Sequence, residues 1–425
     1  MLVAIVFILM FLLMALGVPV GFTMGIAGLV GLFFFSGWDT LITYLGQISY
    51  HSVSNPTLMT VPLFILLGEL VSSGGIAKDL FTAIQRWLGR TPGGVAITTV
   101  FTSAAFGSMS GSTTAAAGSL SRITMPEFRR LGYDEGLAAG VIAVSGTLAI
   151  LIPPSIPMII YGVSTQTSVG KLLLAGLLPG LLTALVYIIG ILFWNKVKSG
   201  AMPKGEKYTW KEKFSSLKNL WGFAILVAFI LFALYGGIAT PSEVAALGSF
   251  FALVFLLIMR RLTWKNFILA LQRTLHTTAM IFVIIIGANI LAKFVTLTNV
   301  ARNMMQWLTS LDVSPWMVML ILIFIYLILG CVMDQIAILV ITLPLTFPLI
   351  TSLGFDPIWF GVIVIKLVEI GLVTPPIGLN SFIVSGASGV PLEKVFKGIG
   401  MLLVFEVVTL IILLAFPIIS TVLVR

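Results

Sequence analysis

The sequence predicts an all-α polytopic membrane protein, and composition is the first observation behind this prediction. Hydrophobic residues make up 59% of the 425 residues and charged residues only 9%, whereas a soluble domain carries about 25% charged residues. In a bilayer, only helices and closed barrels satisfy every backbone hydrogen bond. The apolar runs are continuous and lack the alternation of barrel strands, so the spanning segments are predicted to be helices.

The second observation is an internal repeat, because two stretches 222 residues apart look like copies of each other. Pro153-Pro154 in the first half and Pro375-Pro376 in the second half each interrupt an apolar run. The same shift relates other pairs: Pro19 and Pro241, Pro126 and Pro348, Leu131–Asp134 and Leu353–Asp356, and Gly176 and Gly398. A double proline breaks a helix. Duplicated halves with matching broken helices are typical of secondary transporters.

Hydropathy and charge together predict ten spans, five in each half. They cover about 2–16, 20–35, 58–73, 137–165, 172–194, 221–237, 241–259, 276–296, 357–390 and 398–420. The lysine-rich stretch 196–219 is predicted to be a cytoplasmic linker between a first repeat, 1–195, and a second repeat, 220–425. Because each repeat has five spans, the second copy starts on the opposite side of the membrane from the first. The repeats are therefore predicted to be inverted, with both chain ends outside. Trp38–Ser54 and Trp264–Arg273 are expected to be interfacial helices.

Several features narrow the class of protein further. The N-terminal stretch Met1–Leu16 has no basic segment and no small-residue cleavage site, so it is expected to stay as a span. The basic residues behind the net charge of +9 lie in loops, as the positive-inside rule predicts, so the charge does not indicate nucleic-acid binding. The single cysteine, Cys331, excludes an intrachain disulfide and a cysteine metal cluster. Because the only histidines are His51 and His276, a zinc site is not expected, and neither is a cofactor.

Two apolar segments, 91–131 and 314–353, are predicted to be re-entrant hairpins rather than spans. Each limb is expected to hold about 12 to 15 residues, or roughly 18 to 22 Å, against a hydrocarbon core of about 30 Å. The first hairpin turns at the polar run Gly107–Thr114, and the second turns at Gly330–Gln335. Such backbone is stable at membrane depth only against protein or water. The alternative interpretation is an ordinary pair of short spans joined by a tight turn.

Each hairpin tip is predicted to face a broken helix and to form a sodium site with it. Where a helix stops, free carbonyl oxygens can ligate a hard cation. At the first tip and the broken helix 137–165, the candidate ligands are Ser108, Ser110, Ser112, Gly146, Ala149 and Pro153. At the second tip and the broken helix 357–390, they are Gly330, Met333, Asp334, Gly371 and Thr374. Two alternatives stay open: the serines pack as small residues at a helix crossing, and Asp334 caps the second hairpin limb.

The same helix breaks predict an anion site between the two sodium sites. A helix N-terminus presents free N–H groups and a positive dipole, and both favour an anion. The candidate substrate-binding residues are Ser110, Thr113, Ser155 and Asn380. The sequence therefore predicts a transporter of a small anion, with sodium as the coupling ion.

Five ionisable residues fall inside apolar runs, where a charge is usually paired and functional. They are Glu69, Lys293, Lys366, Glu369 and Glu406. Lys366 and Glu369 are three residues apart, so they are predicted to pair on one helix face. Glu69 and Lys293 lie near span ends, where their side chains are expected to reach the interface.

Specific motifs at these positions resemble the large membrane subunit of TRAP transporters, the DctM-like proteins. The resemblance extends over essentially the whole chain. The motifs that carry it are Gly107–Ser112, Met125–Pro126 with Gly132–Tyr133, Pro153–Ser155, Gly176–Gly180 and Glu369–Asn380. Lys366 departs from the pattern, since a neutral polar residue is expected there.

The resemblance implies an elevator-type fold of inverted repeats, in which a mobile domain with both hairpins moves against a scaffold. It implies sodium-coupled uptake of an organic acid, such as sialic acid, a C4-dicarboxylate or a related sugar or keto acid. It also implies a periplasmic substrate-binding protein, a separate small four-helix membrane subunit, and a place in the bacterial inner membrane. The sodium sites it implies fall on the hairpin tips and broken helices named above.

Other classes fit the sequence less well. A stand-alone sodium/anion symporter of the same fold, without a binding protein, is the main alternative. An intramembrane serine protease using Ser110 needs its base beside the nucleophile and gives no reason for a repeat. An ATP-driven pump is disfavoured because Gly170-Lys171 lacks the phosphate-loop spacing. A channel is possible, but broken helices in both halves suit alternating access better. Since the favoured interpretations are transporters, the chain is not expected to be an enzyme.

Overall fold

Every named element is helical in the part of the chain that the computed structural model describes, which is residues 1–197, 202–218, 220–300, 303, 306 and 313–424. The predicted linker 196–219 lies partly outside the described residues, at 198–201 and 219. The all-helical prediction is confirmed.

The first half of the chain forms ten α-helices among the described residues. They are α1 (Leu2–Ala15), α2 (Val20–Ser36), α3 (Trp38–Val53), α4 (Thr60–Ser73), α5 (Ile76–Leu88), α6 (Gly94–Ser110), α7 (Thr113–Arg130), α8 (Glu135–Thr147), α9 (Ile156–Thr165) and α10 (Val169–Val197). Short 3₁₀ segments, Pro56–Met59 and Leu148–Ile150, precede α4 and follow α8.

The described residues that follow α10 form ten more α-helices. They are α11 (Trp210–Leu217), α12 (Trp221–Tyr235), α13 (Pro241–Ile258), α14 (Trp264–Leu297), α15 (Pro315–Val332), α16 (Gln335–Ser352), α17 (Pro357–Val373), α18 (Leu379–Ser388), α19 (Leu392–Ala415) and α20 (Ile418–Thr421). The helices α6 and α7 form the first hairpin, and α15 and α16 form the second.

The helix boundaries keep the 222-residue offset that the proline pairs indicate. The second hairpin limbs, α7 and α16, begin 222 residues apart at Thr113 and Gln335. The next helices, α8 and α17, begin at Glu135 and Pro357 with the same offset. An aspartate, Asp134 or Asp356, immediately precedes each of these helices. Its carboxylate caps the helix by accepting a backbone hydrogen bond from the first turn. Equivalent local sequence therefore produces equivalent local structure in the two halves.

By length and composition, seven helical segments among the described residues are apolar enough to cross a membrane. They are Pro56–Ser73, Val169–Val197, Pro241–Ile258, Trp264–Leu297, Pro315–Val332, Gln335–Ser352 and Leu392–Ala415. Among the shorter apolar helices, α1, α2, α8 and α9 coincide with other predicted spans, and α6 lies in the first predicted hairpin. These segments are those of a multi-pass membrane protein.

The predicted length of the hairpin limbs is wrong. The limbs contain 17 residues in α6 and 18 residues in each of α7, α15 and α16, rather than 12 to 15. The reason is that each turn is short: Gly111 and Ser112 separate α6 from α7, and Met333 and Asp334 separate α15 from α16. The glycines and serines before Gly111 stay helical because they pack against other helices, so the limbs extend further than composition suggests.

The segment Trp264–Arg273 is also corrected, because it is not a separate interfacial helix. It is the first part of α14, which runs without a break for 34 residues. Thr263 caps its start by accepting a hydrogen bond from the Asn266 backbone N–H at 3.2 Å. No glycine or proline occurs before Gly287 to interrupt it. At 1.5 Å per residue the helix is about 51 Å long, well beyond a hydrocarbon core of about 30 Å.

A glycine stripe on α2 allows close packing against α14, which belongs to the second half of the chain. A Cβ atom placed on Gly28 would lie 2.7 Å from the backbone nitrogen of Leu291 in α14, and one on Gly21 would lie 2.9 Å from that of Ile284. Small residues at such spacing let two membrane helices approach closely. This contact joins α2 to α14, which also forms one wall of the site described below.

Candidate functional site

The tip of the first hairpin lies directly on the first broken helix. A Cβ atom on Gly107 would lie 2.5 Å from the Ala149 Cα atom, so only glycine permits this approach. Gly111 has a φ of +56°, and a Cβ there would lie 2.8 Å from the Pro154 carbonyl oxygen. Gly146, the other predicted ligand at this break, packs against Ala117 of α7. The predicted residues of the first sodium site are therefore brought together.

The first break spans the residues between α8 and α9. A 3₁₀ turn, Leu148–Ile150, leads into the cis peptide bond between Pro153 and Pro154. Ser155 then caps α9, because its hydroxyl accepts a hydrogen bond from the Met158 backbone N–H at 3.3 Å. The side chain of Ser155 is completely buried, so its first role here is to start the second half of the broken helix.

The hydroxyl groups of the first tip divide into two kinds. Ser108 donates to the Ala105 carbonyl oxygen at 2.7 Å, and Ser112 caps α7 by accepting from the Ala115 backbone N–H at 3.3 Å. The hydroxyls of Ser110 and Thr113 are buried and have no hydrogen-bond partner among the described residues. An unsatisfied buried hydroxyl costs about 1–3 kcal/mol. The second pair is thus the one available to a ligand.

The second hairpin tip repeats this arrangement. A Cβ atom on Gly330 would lie 2.8 Å from the Gly371 Cα atom in α17. The Gly378 backbone N–H donates to the Cys331 carbonyl oxygen at 3.2 Å, so the tip also bonds to the far side of the break. Thr374 donates to the Ile370 carbonyl oxygen at 2.6 Å. The predicted residues of the second sodium site are therefore neighbours as well.

Asp334 takes the capping role that the sequence left open. Its carboxylate accepts a hydrogen bond from the Ile336 backbone N–H at 3.0 Å and so starts the second limb of the hairpin. Met333 precedes it in extended conformation, with a φ of −118° and a ψ of 158°. The Asp334 carbonyl oxygen accepts the first helical hydrogen bond of α16, from the Ile338 backbone N–H at 3.1 Å.

Asn380 is the most conspicuous polar side chain of the second break. It is completely buried in the first turn of α18, and neither its amide oxygen nor its amide nitrogen has a partner among the described residues. An amide with four unused hydrogen-bonding positions in a packed interior indicates a ligand or water. Of the predicted substrate-binding residues, Ser110, Thr113 and Asn380 thus have free polar atoms, whereas Ser155 is used as a cap.

A cavity of about 660 Å³ opens beside the first hairpin. The first hairpin supplies Ser110, Ser112 and Arg122 to its walls, and α4 and α14 supply Glu69, Arg273 and His276. Arg273 lies 3.5 Å from the Glu69 carboxylate, so Glu69 has a partner that its position near a span end does not reveal. Arg122 and Arg273 are lining residues that were not among the predicted site residues. The signal for Arg122 was its helical spacing of ten residues from Ser112.

Three buried charges meet where the second broken helix packs against α19. Lys366 and Glu369 pair at 3.0 Å, which confirms the predicted contact, and Glu406 of α19 forms a second ion pair with Lys366. All three side chains are completely buried. Lys293 instead places its ammonium 4.4 Å from the centre of the Tyr44 ring, a cation–π contact.

Comparison with known proteins agrees with this architecture. Residues 7–419 match the family model described as the DctM component of the tripartite ATP-independent periplasmic transporters. The crystal structure of the Alcanivorax borkumensis YdaH transporter matches with a TM-score of 0.69 over 92% of this chain and 91% of that one. At 13% identity, that likeness shows a shared fold only.

Two curated relatives are similar over nearly their full length. The C4-dicarboxylate TRAP transporter large permease protein DctM of Pseudomonas aeruginosa is 35% identical over 94% of this chain and 92% of that protein. The sialic acid TRAP transporter large permease protein SiaM of Vibrio cholerae is 31% identical over 94% and 93%. The chain therefore belongs to the DctM component family of the tripartite ATP-independent periplasmic transporters, whose members are permeases rather than enzymes.

Proposed function

We propose that this chain is the permease for sodium-coupled uptake of an organic acid across the bacterial inner membrane. The observation that carries the proposal is the set of buried polar atoms without partners at the hairpin tips and breaks. Ser110 and Thr113 supply free hydroxyls at the first tip, and Asn380 supplies a free amide at the second break. Sodium is a hard cation, and hard cations bind hydroxyl and carbonyl oxygen atoms. An anion is favoured by the helix N-termini beside them.

The names of the relatives support an organic acid as the substrate class. The relatives are named for C4-dicarboxylate, sialic acid, isethionate and 2,3-diketo-L-gulonate, all of which are organic anions. In the proposed site, the acid group lies among Ser110, Thr113, Ser155 and Asn380. Sodium ions lie at the two tips, where their charge offsets that of the acid.

We propose that transport occurs by an elevator movement. Both hairpins and both broken helices form the moving part. At each tip a glycine lets the hairpin backbone pack directly against the broken helix, so the two are expected to move together. Helices α2 and α14 belong to the scaffold. The hairpins are re-entrant in this proposal and the two halves are inverted repeats. Each sodium site then travels with the substrate as one unit.

The proposed partners are a periplasmic substrate-binding protein and a small membrane subunit of four helices. One relative, the isethionate TRAP transporter permease protein DctMQ of Oleidesulfovibrio alaskensis, is 32% identical, and this chain spans 60% of it. Its length fits a permease fused to a second component. The binding protein captures dilute substrate and docks on the outer loops.

Uptake is expected to require an inward sodium gradient. Replacing sodium by potassium in proteoliposomes should abolish accumulation of the substrate, because the proposed sites supply oxygen ligands for sodium and include no histidine and no clear proton relay. The double substitution S110A/S112A should raise the sodium concentration needed for half-maximal uptake. The matched control is S215A, which alters an exposed serine on α11. Undiminished uptake in potassium with a proton gradient would contradict sodium coupling.

Uptake is also expected to require both partners. The chain is reconstituted alone, then with the small subunit, and then with the substrate-loaded binding protein. A binding protein can shift the equilibrium between two states only by contacting them differently. Transport should therefore rise at least tenfold at the last step, which corresponds to about 1.4 kcal/mol of differential contact. Full sodium-driven uptake of free substrate by the isolated chain would instead indicate a stand-alone symporter.

A further inference from the structure

The cavity beside the first hairpin contains one positive charge that no described carboxylate offsets. Arg122 lines the cavity and makes no ion pair in the described part of the chain. Arg273 lines the same cavity, but the nearby Glu69 carboxylate, 3.5 Å away, balances it. The cavity of about 660 Å³ is therefore left with the guanidinium of Arg122 as its available anion-binding group.

Arg122 lies on the same face of α7 as the hairpin tip. Ser112, Ala115, Ser119 and Arg122 all line the cavity, and their spacing of three, seven and ten residues follows one face of a helix. Side chains on a helix lean towards its N-terminus. The Arg122 side chain is exposed, and this lean favours a guanidinium position on the tip side of its own Cα atom.

The opposite wall, α4, packs alongside α7 in the same direction. Gly68 of α4 packs against Ser110 at the tip, because a Cβ on Gly68 would lie 2.9 Å from the Ser110 Cα atom. One turn further along α4, the Ser72 hydroxyl lies 3.4 Å from that of Ser119. A ligand bound here contacts the tip at one end and Arg122 at the other.

We infer that the cavity binds an elongated organic acid, with one carboxylate at the Ser110 tip and a second anionic group on Arg122. This inference rests on the proposed function, because it assigns the far end of the same substrate site. Ser112 and Arg122 are ten residues apart, about 15 Å along the axis at 1.5 Å per residue. The backward reach of the arginine shortens the distance that the ligand itself must span.

Ligand length decides which acids make both contacts. With C–C bonds of about 1.5 Å, the terminal carbons of an extended four-carbon diacid are about 4 Å apart, and those of an eight-carbon diacid are about 9 Å apart. The shorter acid occupies the tip and leaves Arg122 without a partner. The longer acid bonds to both ends, so a diacid of about eight carbons is the preferred chemical class.

The experiment measures thermal stabilisation of the purified full-length chain in sodium by succinate, suberate and octanoate. A ligand that binds the folded state raises the melting temperature according to its affinity. Suberate should act at about one-tenth of the succinate concentration, because it gains a charged hydrogen bond. R122Q should remove this tenfold advantage, while R122K retains part of it. R90Q is the control, because Arg90 is an exposed arginine that does not line the cavity.

Several outcomes overturn the inference. They are equal action of succinate and suberate, octanoate matching suberate, no stabilisation by any acid, or an unchanged suberate effect in R122Q. Octanoate has the length of suberate without its second carboxylate, so it separates charge recognition from apolar contact. Failure of the proposed function gives a different result. In that case sodium and potassium support the same stabilisation, whatever the chain length of the acid.

Discussion

Replacing Lys366 by methionine is expected to lower the free energy of unfolding by about 3–5 kcal/mol. The Lys366 ammonium lies 3.0 Å from Glu369 and also pairs with Glu406, and all three side chains are completely buried. Methionine fills a similar volume but leaves two carboxylates without a counter-charge. A buried charge that loses its partner costs far more than an exposed one, because the interior does not solvate it.

The chain itself provides the matched control for this substitution. Lys397 pairs with Glu393 at 2.8 Å along α19, and the two side chains are 74% and 81% exposed. Lys397→Met removes the same kind of pair from a solvated position, where it contributes little. The triple variant K366M/E369Q/E406Q should recover part of the loss, because no unpaired charge remains. Equal unfolding transitions for the Lys366 and Lys397 variants in detergent, followed by circular dichroism, would contradict the assigned role.

The triad also shows how far sequence reasoning reaches. The pairing of Lys366 with Glu369 is predictable because three residues separate neighbours on one helix face. Glu406 is on a different helix, α19, and only the packing of α17 against α19 brings it to the same ammonium. The sequence identifies Glu406 as an intramembrane charge, but it contains no local signal for its partner.

The repeat and the helix breaks were predictable for a related reason. A double proline interrupts a helix wherever it occurs, so Pro153 and Pro375 identify both breaks without any tertiary information. The length of the hairpin limbs was not predictable, because glycine and serine indicate a loop by propensity. In the structure Gly107 stays helical, since its missing side chain allows contact with Ala149. Tertiary packing outweighs the local preference at this position.

The cavity shows a third limit. Ser110 was recognisable from the polar tip, whereas Arg122 resembled one of several basic residues near a membrane surface. Its contribution depends on α4 and α14 closing the opposite wall and on Glu69 balancing Arg273. Such a charge balance arises from three separated segments and is visible only once the chain is folded.

Replacing Gly398 by alanine is expected to destabilise the protein by about 3 kcal/mol, at the upper end of what overpacking usually costs. Gly398 of α19 packs against the backbone of α8, where an added Cβ would collide with the Gly136 carbonyl group and lie 3.0 Å from the Leu137 nitrogen. Backbone atoms cannot rotate away as a side chain can. The two helices must therefore separate to admit one methyl group.

Gly400 provides the comparison on the same helix, because a Cβ atom added there meets nothing within 4 Å. Gly400→Ala should raise stability by up to about 1 kcal/mol, since alanine is the better helix former. The two substitutions change one glycine to alanine only two residues apart, yet they should shift the unfolding transition in opposite directions. If the proposed sodium coupling holds, the Gly398 variant should also need more sodium for half-maximal uptake, because α8 leads directly into the break at Gly146 and Ala149. Equal transition midpoints for the two variants would show that the α8–α19 contact does not require glycine at position 398.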